Sequence, residues 1–284
     1  MVREPPKAPT GLARRGRRLS DRETEQRMLR TAVAMVNRTG LTVSLEHIGL
    51  EDVIRDAGVS RSAVYRRWPY KDLFLSDLVK ELAKDATPAI VDDEWQMIRA
   101  VVAERPHWLE TPELRQGLIV ELFRQLSLLD FQTIYSSPGW RTYIALHATF
   151  MSLEDVEVRA EVQAELARSE REREGRLARA WEIMTGLFGY RLRPECGATF
   201  ETLATLLSAA MRGIVIMALT SPDIAAQRVE ARPFNAATKD EWSLPGIGLA
   251  SIAASLMEPD PDAVWDEGRV ARVREAFCGT APTF

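Results

Sequence analysis

Apolar residues recur at helical spacing along nearly the whole chain. Past Ser20 they fall at Met28, Leu29, Ala32, Val33 and Val36, one face of a helix. Ser20-Asp21-Arg22-Glu23 forms a capping box ahead of that run: the Ser20 hydroxyl accepts from a first-turn amide while Glu23 reaches back. Asn37 to Gly40 ends the helix. A second, short helix carries Leu50, Val53, Ile54 and Ala57 and stops at Gly58, a residue suited to a left-handed C-cap. After a tight break, Ser60 caps a third helix with Val64 and Trp68 on one side. Pro69 closes it, because the residue before a proline is pushed out of the helical region. A fourth helix starts near Lys71 and carries Leu73, Phe74, Leu78 and Leu82.

The remainder also reads as helices. They are expected around 113–129, after Pro138-Gly139, over 154–185, over 199–219, and in short pieces at 248–256 and 263–277. Thr199 to Leu219 is apolar on nearly all sides, so it is either a central core helix or is covered by a second subunit. The fold class is therefore all-α. Gly246-Ile247-Gly248 is set aside as a phosphate loop, since it lacks the rest of a nucleotide fingerprint.

Composition narrows the classes. With 46% apolar and 27% charged residues, the 284-residue chain is neither disordered nor fibrous. No uninterrupted apolar run reaches the roughly 18–20 residues of a membrane span; Arg212 breaks the best one. The N-terminal arginines are followed by no apolar stretch of the secretory type. Two unrelated cysteines, Cys196 and Cys278, imply a reducing cytoplasm. With three scattered histidines they argue against a metal site, and no cofactor is expected.

The net charge of −4 argues against an anionic partner only until it is divided. Residues 1–84 hold 17 Lys and Arg against 11 Asp and Glu; residues 85–284 hold 20 against 30. The sharpest basic stretch, Gly58 to Lys71, contains Arg61, Arg66, Arg67 and Lys71 and no acid. A second cluster, Arg14, Arg15, Arg17 and Arg18, lies in a leader broken by prolines and glycines. It is either an arm that follows a DNA minor groove, with Arg15, Arg17 and Arg18 as its contacts, or a solubilising tail.

Two short helices joined by a glycine-containing turn form the pattern of a helix-turn-helix. Its second helix presents Arg61, Ser62, Tyr65 and Arg66 opposite Val64, and a helix is narrow enough to enter a major groove. The stretch from Ala57-Gly58-Val59-Ser60 through Tyr65, Trp68 and Lys71-Asp72-Leu73 resembles the signature of the TetR/AcrR transcriptional regulators. The likeness covers about residues 21–82. Three features depart from the pattern: Trp68 for phenylalanine, Gly49 where a hydroxyl residue often caps the second helix, and a longer connection between Gly40 and Leu50.

The resemblance implies that Tyr65 and Lys71 touch phosphates. Arg61, Ser62, Ala63 and Arg66 approach bases, and Arg67 serves either role. It implies a homodimer through about 158–187 and 197–219, and a small-molecule effector held in the helical body. The protein would be a repressor released from a palindromic operator by a small apolar effector. Trp108, Phe123, Trp140, Tyr143, His147 and Trp181 are the candidates for lining that pocket, and core packing is the alternative for each.

The expected organisation is a basic arm over 1–19, a helix-turn-helix DNA-binding domain over 20–84, and a ligand-binding and dimerisation domain over 85–284. No nucleophile elbow, Walker loop or zinc-protease helix occurs, so an enzyme is not expected. Two other classes stay open: an interaction module whose helix-turn-helix is structural, and an enzyme built from distant residues of the body.

Overall fold

The computed structural model describes residues 19–39, 48–84 and 91–278. The basic leader with Arg15, Arg17 and Arg18, and the longer connection over 40–47, lie outside them. The described chain is mostly helical. Its helices are α1 (Asp21–Thr39), α2 (Leu50–Ala57), α3 (Arg61–Arg67), α4 (Lys71–Lys84), α5 (Val91–Glu104), α6 (Pro112–Ser136) and α7 (Pro138–Thr149). They continue with α8 (Val156–Phe188), α9 (Phe200–Thr220), α10 (Asp223–Ala226), α11 (Leu244–Leu256) and α12 (Glu267–Cys278).

Helices throughout proved too simple an expectation, because four short strands interrupt the second half. β1 (Tyr190–Leu192) pairs antiparallel with β4 (Met257–Pro259), and β2 (Arg228–Ala231) pairs antiparallel with β3 (Asp240–Ser243). Each spans too few residues for a two-residue alternation to register. Gly246-Ile247-Gly248 follows β3 but lies inside α11. The Gly246 N–H is taken by the capping Ser243 hydroxyl at 3.2 Å, as befits a helix start rather than a phosphate cradle.

Helix ends follow the local chemistry. Ser20 and Glu23 exchange both capping-box bonds, at 2.7 and 3.2 Å. Asp155 caps α8 through the amides of Glu157 and Val158, and Gly189 ends it with φ 70°. A Cβ at Gly189 would also lie 2.9 Å from the Trp265 indole nitrogen. Thr199 and Thr202 form the box that opens α9.

Two cores result. The first is formed by α1 to α4, with Met28, Val36, Val53, Val64, Trp68, Phe74 and Leu78 fully buried. It is completed by Leu146 of α7 and by Val162 and Leu166 of α8. Packing therefore crosses the division expected at residue 84, and α8 bears directly on α4. The second core is built mainly from α5, α6, α9, α11 and α12. Leu73, expected on the apolar face of α4, is instead 48% exposed. Ser169 and Arg173, in the most polar stretch of α8, are buried.

By length and composition α9 would pass for a membrane span, yet it packs here against α6, α8, α10 and α11. About a third of its apolar stretch is buried inside the chain. Leu206, Ile216, Met217 and Leu219 face outward, Met217 at 56% exposure.

Candidate nucleic-acid interface

α2 leads into α3 through Gly58, Val59 and Ser60. Gly58 takes the left-handed conformation (φ 61°, ψ 39°), which turns the chain at no steric cost, and its N–H returns to the Arg55 carbonyl at 3.1 Å. Ser60 caps α3 by accepting from the Ala63 amide. Val64 is fully buried and Val59 packs beside it against the first core. Trp68 closes the helix as a buried anchor, edge-on to Phe74 at 5.2 Å, and its indole N–H donates to Asp77 at 2.8 Å. With that side fixed inward, Arg61, Ser62, Tyr65, Arg66 and Arg67 are exposed; Ala63 and Lys71 are half-buried. The structure thus brings the predicted residues of α3 onto one accessible surface. Tyr70 and Leu73, next along the chain, are exposed as well.

The charges on that surface are partly answered from within the chain. Arg61 pairs with Glu51 of α2 at 2.7 Å, and the same carboxylate accepts the Tyr65 hydroxyl at 2.8 Å. That hydrogen bond, then burial and the charge of Glu51, push the Tyr65 phenol above its ordinary range, so it remains a donor. Arg66 pairs with Asp21 of α1. Arg67 bridges Glu25 of α1 at 3.2 Å and Asp77 of α4 at 3.1 Å, and stacks over Trp68. These acids went unnoticed in the sequence, because they lie outside the Gly58–Lys71 stretch and approach only when α1, α2 and α4 pack. Exposed pairs of this kind contribute about 0–1 kcal/mol each. A phosphate can therefore exchange with the carboxylates at modest cost. Gly49 caps α2 with no side-chain bond, so no hydroxyl contact is available there.

The six aromatic and histidine residues expected to line a pocket divide by their ring contacts. Phe123 stacks on Trp181 at 5.5 Å and meets Phe234 at 4.9 Å. Tyr143 contacts Trp140 edge-on at 5.2 Å and His147 at 4.0 Å. Trp108 sits beneath the Arg105 guanidinium at 5.0 Å. The Tyr143 hydroxyl reaches Glu170, which also accepts from Arg173 and Arg212. Burial and that carboxylate push the Tyr143 phenol far above its ordinary range. This half-buried polar network joins α7, α8 and α9. Its signal in the sequence was Ser169 to Arg173, which reads as a solvated stretch when no partner helix is visible.

No protein-family model and no characterised protein matches the sequence.

Proposed function

We propose that this protein is a dimeric, ligand-responsive transcriptional regulator of the TetR/AcrR kind, acting in the cytoplasm as a repressor. Residues 20–84 would serve as its helix-turn-helix reading head. The observation that carries the reading is the turn at Gly58, with Val64 and Trp68 buried and the arginines and Tyr65 of α3 facing out. In this reading Arg61, Ser62, Ala63 and Arg66 approach base edges in a major groove, Tyr65 and Lys71 hold phosphates, and Arg67 serves either role. The outward apolar side chains of α9, joined by Ile183 of α8, support dimerisation through that pair of helices. A two-fold dimer would meet half-sites about 34–36 Å apart, or a multiple of that. An effector in the helical body would weaken DNA binding by as much as it favours the mis-spaced dimer.

Duplex affinity measured against salt tests this. Phosphate contacts release counterions, so affinity should fall steeply with salt. Lys71→Ala should weaken every sequence alike and lower the salt slope by about one. Arg66→Ala should also relax discrimination at one base pair, by about 1–3 kcal/mol. Affinity that does not respond to salt would count against the reading.

The internal ion pairs of α3 favour one alternative. There the two short helices are structural, Glu51, Asp21 and Glu25 hold the arginines permanently, and the acidic body binds another protein. Loss of duplex binding with retained capture of a partner protein would select it.

A further inference from the structure

Among the described residues, Phe234 is the non-glycine whose backbone enters the left-handed region, at φ 55° and ψ 28°. A bulky side chain is strained there and keeps the conformation only where its surroundings hold it. Two points on α6 hold it. The Phe234 carbonyl accepts a hydrogen bond from the Gln116 side-chain amide. Its ring meets that of Phe123 at a tilt of 44°, with centroids 4.9 Å apart. Gln116 and Phe123 are two turns apart on one face of α6, about 10.5 Å along the axis. Phe123 also stacks on Trp181 of α8, its ring inclined by 23°. Phe234 belongs to the connection between β2 and β3, which Pro233 opens into a short 3-10 turn.

We infer that the ring of Phe123, backed by Trp181, is a shelf that binds a planar aromatic small molecule, and that Phe234 is its built-in occupant. Exchanging Phe234 for such a ligand replaces one ring contact by another and lets the Phe234 backbone leave its strained conformation. It also frees the Gln116 amide for a polar substituent on the ligand, in the place of the Phe234 carbonyl. The inference supplies the effector class that the regulator reading leaves open. It rests on that reading for its consequence at DNA, and not for the binding itself. The consequence has a route: Trp181 shares α8 with Leu166, a member of the first core, about 22 Å along the helix.

The test is calorimetric titration of the full chain with toluene, without DNA. Toluene has no polar group, so Gln116 can affect it only through Phe234. The wild-type protein should bind one toluene. Phe234→Ala should tighten binding about tenfold or more, because a competing occupant lowers apparent affinity by the fraction of time it is seated. Gln116→Ala leaves the shelf whole and loosens only the occupant, and should tighten binding several-fold. If Phe234→Ala fails to fold by circular dichroism, Gln116→Ala carries the test. Tightening by Phe234→Ala alone would mean an engineered hole, and would overturn the inference, as would no binding by any folded variant. Neither result touches duplex binding, and failure of duplex binding would leave these titrations standing.

Discussion

Gly58→Ala isolates the conformational demand on which the placement of α3 depends. Gly58 has φ 61° and ψ 39°. The nearest heavy atom to a Cβ built there is a guanidinium nitrogen of Arg27, at 3.9 Å. An added methyl group therefore meets open space, and steric crowding with neighbours contributes nothing. The cost is that of an L-residue in the left-handed region, about 1–2 kcal/mol. A less flexible unfolded chain offsets several tenths of that. The net expectation is a loss of about 1 kcal/mol. Asparagine tolerates this region better, so Gly58→Asn should lose about half as much. Because Val64 and Trp68 sit in α3 and at its C-cap, hydrogen exchange at their amides reads the effect locally. Both donate backbone hydrogen bonds within the turn and α3. A loss of 1 kcal/mol appears as exchange about fivefold faster. Unchanged exchange in Gly58→Ala, or an asparagine variant as impaired as the alanine one, would show that the left-handed conformation at Gly58 is not what costs stability.

Three further outcomes follow from named contacts. Trp68→Phe keeps a ring against Phe74 but removes the indole N–H from Asp77 and leaves a void. It should cost about 2 kcal/mol in urea unfolding followed at the first core. Glu51→Ala frees both Arg61 and the Tyr65 hydroxyl from one carboxylate. It should raise duplex affinity several-fold at low salt and steepen the salt dependence, as read by fluorescence anisotropy. Burial pushes the Asp130 carboxyl up to about 7, against the pull of the Arg173 charge. The folded chain then keeps a proton that the unfolded chain loses above about pH 4, so stability falls as pH rises from about 4 through about 7. Asp130→Asn should remove that slope and exceed the wild-type stability at about pH 8 by on the order of 4 kcal/mol, measured by urea midpoints at about pH 5 and 8.

Most helices were legible because they carry their own local signals, although α5 and α10 were not expected. Ser20 and Glu23 announce the start of α1, Gly58 the end of α2, and Pro138 the start of α7, and each acts through bonds to near neighbours. The inward face of α3 was legible for the same reason, with Val64 and Trp68 four residues apart. What escaped depends on distant pairing. β1 meets β4 only through residues 65 or more positions away, with Arg191 on Glu258 as its side-chain mark. The pairing of Asp21, Glu25 and Glu51 with Arg66, Arg67 and Arg61 exists only once α1, α2 and α3 pack. Phe234 escaped as well, since a positive φ on phenylalanine has no sequence signature. The burial of Arg173 needed α9 to supply Ser208 beside it.

The outward face of α3 is proposed to read duplex DNA. Selection of bound sequences from random duplexes by the full chain tests it most directly. Enrichment of a two-fold symmetric sequence is expected, with half-sites separated by about one helical turn or a multiple of it, and Arg66→Ala should lose that enrichment. No enrichment by the folded wild-type protein would contradict it.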